Sequence, residues 1–255
     1  MQHGDFSCLA DDYSKYRPGY SESVARMLLA LVGKPISEID FADVGAGTGI
    51  WTRQVANAGV RSVVAVEPNE EMRTAGQRDT RNEAVMWVAG SGEKTGLLDN
   101  AYDLATMASS FHWVDFEKGT REFARILRPG GRFAVLWNPR LTEANPFTQR
   151  IETFLHDLVP NLRRISSGTS DFTDTLIERL NNCPWLDDVV YMEARHIVRQ
   201  TPSAYLGVWR SVNDIRVQAG EEKFGKFLTY IEDELKSVDF VEAHYRTRAW
   251  CARAI

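Results

Sequence analysis

Gly45, Gly47 and Gly49 stand at alternate positions in the stretch Asp43-Val-Gly-Ala-Gly-Thr-Gly49. Glycines so spaced let a chain turn tightly and bring its backbone against a ligand. Position 50 is Ile, so the G-x-G-x-x-G pattern of a dinucleotide site is broken, and the next residue is Trp51, so there is no Lys-Ser/Thr pair for a nucleoside triphosphate loop. Glu67 lies 18 residues beyond Gly49. A carboxylate at that distance, at a strand end, is placed to accept hydrogen bonds from both hydroxyls of a ribose, and Pro68 stiffens the turn that presents it. His112, in Phe111-His112-Trp113, has an ordinary pKa suited to proton transfer. It is read either as a base or as a group that positions an acceptor, with Trp113 as an apolar wall. Arg17, within Tyr13-x-x-Tyr16-Arg17-Pro18-Gly19-Tyr20, and Arg210, on an expected helix, could each hold a carboxylate. His112, Trp113, Arg17 and Arg210 are therefore the catalytic and acceptor-side candidates.

The elements that must carry these residues alternate. Helical periodicity over 21–32 is followed by a strand at 39–44, a helix at 48–58, a strand at 61–66 and a helix at 70–78. Strands at 84–89 and 104–109, a helix at 119–127 and a strand at 132–137 follow, with Pro129-Gly130-Gly131 stopping the helix. This βα alternation predicts a parallel sheet with ligands at the carboxyl ends of its strands, just after Val44, Val66, Ala89 and Ala108. The second half differs. Helices are expected at 145–158, 171–181, 201–210 and 223–235, and strands at 189–199 and 241–252.

The ordered strings DVGAGTG (43–49), VEPNEEM (66–72), GSGEKTGL (90–97), ASSFHWVD (108–115) and ARILRPGGRF (124–133) resemble successive motifs of the Rossmann-like, class I S-adenosylmethionine-dependent methyltransferases, of the methyltransferase type 11 domain. The FHW element and the YxxYRPGY segment are similar to the trans-aconitate methyltransferase-like subgroup. The resemblance implies an α/β fold, a doubly wound seven-stranded, mostly parallel sheet whose last strand is antiparallel. It implies S-adenosyl-L-methionine as methyl donor and S-adenosyl-L-homocysteine as product. Carried over by position, Asp43, Gly45, Ala46, Gly47, Thr48 and Gly49 would line the methionine end, Glu67 and Pro68 the ribose, and Met72 the neighbouring wall. Gly92 and Glu93 would approach the adenine, where Ser91 stands in place of the acidic residue common in the family. Ser109, Ser110 and Phe111 would lie beside the sulfonium, and Tyr16 and Arg17 would close over the cofactor. The expected layout is one domain over 1–255, with a cofactor-binding core at 40–138 and an inserted helical cap at 139–188 and 201–238.

The bulk properties narrow the partners. The chain is 44% hydrophobic, 11% aromatic and 25% charged, with a formal net charge of -5, an ordinary globular balance that gives no basic stripe for nucleic acid. The arginines at 163–164, 246 and 248 are read as solvated surface. Cys8, Cys183 and Cys251 are odd in number and far apart, without metal-site spacing, so no metal is expected and the thiols are read as free. No leader pattern opens the chain, and no stretch reaches the roughly 20 apolar residues of a membrane span. The expectation is a cytoplasmic monomer or homodimer acting on a small molecule, with neither nucleic acid nor membrane as partner. The acceptor would be a carboxylate, hydroxyl or amine. Alternatives are a cofactor-binding partner subunit without catalysis and an NAD-dependent oxidoreductase, the latter disfavoured by Ile50.

Overall fold

The strands of the first half are short apolar runs because helices cover both of their faces. In a computed structural model, residues 10–162 and 171–255 are described. Helices α1 (Ala10–Tyr16) and α2 (Glu22–Leu31) precede β1 (Asp40–Val44), α3 (Ile50–Ala56), β2 (Ser62–Val66), α4 (Glu70–Asp79) and β3 (Val85–Val88). Then come β4 (Tyr102–Ala108), α5 (Phe116–Ile126), β5 (Leu127–Trp137), α6 (Pro146–Leu158), α7 (Asp171–Asp174), α8 (Leu176–Asn181) and β6 (Leu186–Gln200). Helices α9 (Pro202–Arg210) and α10 (Asn213–Leu235) lead into β7 (Val241–Ala254).

The seven strands form one sheet in the order β3-β2-β1-β4-β5-β7-β6. The pairs β1–β2, β1–β4, β2–β3 and β4–β5 are parallel, whereas β7 runs antiparallel to both β5 and β6. This is the doubly wound sheet with an antiparallel last strand. Alternate residues of each strand serve opposite faces. On one face Ala42, Ala105, Phe133, Val135 and Trp250 pack with Phe123 and Ile126 of α5. On the other, Phe41, Leu104, Ala134 and Ala249 meet Val24 and Leu28 of α2 and Trp51 and Val55 of α3.

Local chemistry sets the helix starts. Asn69 Oδ1 accepts from Met72 N at 3.0 Å, Asp115 Oδ1 from Lys118 N at 3.0 Å, and Thr201 Oγ1 from Ala204 N at 3.3 Å. Each side chain satisfies an amide that the helix itself cannot.

The expected cap at 139–188 divides in two. Helix α6 packs through Phe147, Ile151 and Leu155 against Tyr205 and Trp209 of α9 and Phe224, Phe227 and Ile231 of α10. Helix α8 instead buries Leu176 and Leu180 with the sheet core, because its apolar stripe faces the strands. The 201–238 insertion leaves the sheet where the β6–β7 ladder ends, at the pair Gln200–Val241. Its long helix starts ten residues earlier than the sequence pattern suggests and is broken at Gly220, whose φ of 72° and ψ of 162° are non-helical. Cys183 and Cys251 are buried free thiols; Cys8 and the arginines at 163–164 lie outside the described residues. Arg248 is no free surface charge: its Nε donates to Tyr191 Oη at 3.0 Å and its guanidinium lies 4.8 Å from the Trp250 ring centre.

Candidate active site

The carboxyl ends of β1 to β5 open into a cavity of about 620 Å³, in the range of small-molecule sites. Its floor is the glycine loop. Gly45, Gly47 and Gly49 have φ of 64°, 58° and 77°, the left-handed region that side chains resist. At Gly45 the demand is also spatial, since a Cβ there would stand 2.6 Å from Ser110 Oγ. Gly45, Ala46, Gly47 and Thr48 line the cavity. Gly49 does not: it is the N-terminal cap of α3, packed where a Cβ would come 3.0 Å from the Trp87 ring. Asp43 also lies beneath the surface, accepting from Thr52 Oγ1 at 2.6 Å and Thr106 Oγ1 at 3.3 Å. Thr106 Oγ1 in turn accepts from Trp51 Nε1 at 2.9 Å. Burial pushes the Asp43 carboxyl up to about 7 against the hydrogen bonds from the two threonines, and the Glu67 charge adds to the rise. Asp43 therefore shapes the loop from below instead of touching a ligand.

Glu67, at the end of β2, lines the cavity. Its Oε2 accepts from Gly47 N at 2.8 Å and its Oε1 from Asn69 N at 2.9 Å. Each oxygen thus spends one lone pair on the backbone and keeps another for a ligand hydroxyl. Burial raises its pKa, opposed by those two amides. Pro68 and Met72 complete this wall. On the β3 side, Ser91, Gly92 and Glu93 line the cavity from a tight turn closed by Ser91 N to Lys94 O at 3.0 Å. Gly92 is required there because a Cβ would stand 2.6 Å from Val114. Glu93 Oε1 accepts from Asp115 N at 3.1 Å.

After β4 the chain turns at Ser109, a non-glycine residue at φ 56°. Ser109 and Ser110 line the cavity, and Ser109 Oγ lies 2.9 Å from Tyr20 Oη. Phe111 points away into an edge-on aromatic cluster with Phe116, Phe123, Phe133 and Phe172. It anchors the turn and leaves the cavity wall to the serines. His112 is likewise absent from the cavity wall. Its Nδ1 accepts from Trp137 Nε1 at 3.4 Å, its Nε2 is buried without a partner among the described residues, and burial lowers its pKa to about 4. Of the FHW element only Trp113, 47% exposed, faces the cavity.

The N-terminal segment closes one side. Arg17 lines the cavity and is tied to the end of α9 through Nε to Ser211 Oγ at 3.0 Å and Nη2 to Ser211 O at 3.3 Å. Tyr13 and Tyr20 line it too, whereas Tyr16 packs its ring on Gly207 of α9. Asn138 Nδ2 holds the Gly19 carbonyl at 3.0 Å. Arg210 leaves the acceptor set, because it is exposed and paired with Glu232 at 3.0 Å.

A model of the methyltransferase domain matches residues 42–135, which hold the glycine loop, Glu67 and the two serines. That segment is similar to the methyltransferase-domain family. The chain is 35% identical over 135 residues to an uncharacterized methyltransferase of Mycobacterium tuberculosis, covering 53% of this chain and 52% of that protein. A demethylmenaquinone methyltransferase of Corynebacterium efficiens is 31% identical over 149 residues, 58% of this chain and 62% of the relative. The chain thus spans about half the length of the first of these relatives and somewhat more of the second. Among solved structures, a protein of Anaeromyxobacter dehalogenans assigned as a type II methyltransferase superposes with a TM-score of 0.64 at 22% identity, covering 94% of this chain and 97% of that one. A Haemonchus contortus phosphoethanolamine N-methyltransferase 2, in complex with S-adenosyl-L-methionine, gives 0.56 at 13% identity, covering 97% and 56%. At those identities the structural likeness speaks for the fold.

Sequence reasoning missed Asn69, Met107 and Val114 within the matched segment and a further group beyond it. Asn138, Pro139 and Arg140 enter the cavity after β5, Val208, Val212 and Asp214 from the insertion, and Tyr245 from β7. The strand-end rule, extended by one strand, finds Asn138 to Arg140. Nothing in the local sequence marks the others, because their position depends on how α9 and α10 fold back.

Proposed function

We propose that the protein is an S-adenosylmethionine-dependent methyltransferase that methylates a small-molecule acceptor. The observation that carries this reading is Glu67, fixed by two backbone amides with its remaining lone pairs on the cavity side of the glycine loop. The cradle at Gly45 and Gly47, which a Cβ would fill or strain, fits a ligand pressed against backbone. Thr48 Oγ1, buried without a partner among the described residues, fits a polar ligand at the same place. Glu67 would hold the ribose, the loop the methionine portion, and Gly92 with Glu93 the adenine. When bound, the cofactor supplies a methyl group on a sulfonium, open to in-line displacement.

The chain's own part is positioning and exclusion of water. Arg17 ties the N-terminal segment to α9, and Tyr20 ties it to Ser109, so both close the site over the ligand. Trp113, Pro139, Val208 and Val212 supply apolar wall. Among the described residues no histidine lines the wall, and a carboxylate acceptor needs no base. No helix among the described residues is long and apolar enough to cross a membrane, and no cluster of His, Cys, Asp and Glu among them is fit to hold a metal.

Calorimetric titration with S-adenosylhomocysteine, followed by labelled methyl transfer to a metabolite pool, tests the reading. Saturable binding and label in a small product are expected. Absence of binding, or label carried only into RNA or DNA, would reverse it.

A further inference from the structure

Arg140 is a cation that the fold buries and leaves incompletely bonded. The Asn138-Pro139-Arg140 stretch is pinned to β7 by Arg246 N to Pro139 O at 2.9 Å and Leu141 N to His244 O at 2.8 Å. These bonds fix where its side chain starts. The guanidinium sits among aromatic rings, 4.1 Å from the Trp209 centre, 5.8 Å from Tyr205 and 5.9 Å from Tyr245. Its side chain is 9% exposed. Glu152 Oε1 lies 3.7 Å from Nη1, outside hydrogen-bond reach, and among the described residues neither Nε nor Nη1 meets an acceptor in good hydrogen-bond geometry, the Tyr245 hydroxyl being a polar neighbour. Buried donors on a charged group are costly to leave unpaired. Aromatic rings stabilise the charge but accept no directed hydrogen bond of ordinary strength.

Arg140 also lines the cavity, on the side of β5 and β7. In the sheet order β5 lies two strands from β1, about 10 Å across the ladder at the usual strand spacing. Glu67 is a further strand away, on β2. The glycine loop and Glu67 therefore face one part of the cavity and Arg140 another, with Ser109 at the end of β4 between them. The other cavity arginine, Arg17, already donates to Ser211. Pro139 and Tyr245 line the cavity with Arg140 on the β5–β7 side, and Val208, Val212 and Asp214 line it from the insertion.

We propose that Arg140 is the specificity residue of the acceptor subsite, binding a carboxylate carried on an apolar body. This deepens the methyltransferase reading and rests on it. A planar guanidinium matches a carboxylate in shape and donates two parallel hydrogen bonds to it. One arginine, with Glu152 already offsetting part of its charge, suits a singly charged acid better than a phosphate dianion. The apolar wall accounts for the rest of the molecule.

The test uses the full chain saturated with S-adenosylhomocysteine and titrated with octanoate, cinnamate and indole-3-acetate, each beside its primary amide and, separately, with octyl phosphate. At least one acid is expected to bind about tenfold or more tighter than its amide and than octyl phosphate. Arg140→Lys should erase most of that preference, since it keeps the charge and loses the fork, and Arg140→Met all of it, while S-adenosylhomocysteine affinity stays unchanged. If Arg140→Met does not fold, the acid-to-amide ratio in the native protein and in Arg140→Lys decides. Amides bound as well as acids, no acid bound, octyl phosphate preferred, or a parallel loss of S-adenosylhomocysteine affinity in Arg140→Lys would each overturn the proposal. Failure of the native protein to bind S-adenosylhomocysteine would strike the cofactor reading itself, and this proposal with it.

Discussion

The Gly47 amide donates to Glu67 Oε2 at 2.8 Å, joining the loop after β1 to the acid after β2. One carboxylate thereby fixes the loop and faces the cavity. Glu67→Ala removes both roles, and S-adenosylhomocysteine affinity is expected to fall by about 1.5–3 kcal/mol, the worth of hydrogen bonds to a charged group. Glu67→Gln should fall in between, because its NH₂ would face an amide donor from Gly47 or Asn69. Calorimetry measures both; native-like affinity in Glu67→Ala would remove Glu67 from the ribose.

Gly45→Ala separates strain from collision. A left-handed alanine costs about 1–2 kcal/mol by itself, and here the Cβ would also meet Ser110 Oγ at 2.6 Å. Gly59 has φ 88° and no heavy atom within 4 Å of its Cβ position. Gly59→Ala should therefore show the conformational cost alone and bind S-adenosylhomocysteine normally. Gly45→Ala should be less stable than Gly59→Ala and lose binding. Thermal melts with and without ligand read the contrast.

Asp43 gives a pH dependence of defined sign. Its carboxyl is raised to about 7 by burial, while in the unfolded chain it titrates near 4. Between those values the native state holds a proton that the unfolded state has lost, so this group's stabilising contribution is full below about pH 4 and declines as pH rises to 7. Asp40 works in the opposite direction: the Arg61 hydrogen bond holds it well below the usual carboxylate range, so its contribution is lost only as pH falls. Asp43→Asn leaves the Asp40 contribution in place. The melting temperature of Asp43→Asn minus that of the native protein should therefore climb between pH 4 and 7. A flat difference would contradict the raised pKa.

His112 should not titrate in the working range of the protein. With its pKa lowered to about 4 by burial, the imidazole is neutral at pH 6–8. The pH profile of kcat should be the same in His112→Gln and native protein over that interval. An inflection near pH 6.5 that the substitution abolishes would restore His112 as a base.

Arg210→Ala should leave ligand binding and turnover unchanged and move stability by no more than ~0.5 kcal/mol, as expected for an exposed ion pair. A large loss of turnover would bring Arg210 back to the acceptor.

The sheet and the glycine-loop wall of the cavity were legible because their signals are local. Glycine spacing, a strand-end acid and runs such as Ser62–Val66 depend on a few adjacent residues, and the strand-end rule then orders them. The acceptor side was not legible in that way. His112 and Trp113 are neighbours in sequence, yet a single 3₁₀ turn sends one under the wall and the other into the cavity. Tyr16 and Tyr20 occur in one motif, but only Tyr20 reaches the ligand space, because Tyr16 fills the gap above Gly207. Arg140, Asp214 and Tyr245 come from three separated segments. Their meeting is a property of tertiary packing, with no periodicity to announce it.

The break at Gly220 divides the longest helix into two units of unequal anchorage. The part after it is nailed down by Phe224, Phe227, Ile231 and Leu235. The part before it buries Ile215 and carries Asp214 to the cavity. The i to i−4 ladder is interrupted between them, so opening one part need not open the other. Amide protons of 213–219 should exchange with solvent faster than those of 224–235, and ligand should slow the first group selectively. This side of the cavity would then breathe while its buttress stays shut, giving a ligand a way in that leaves the floor undisturbed.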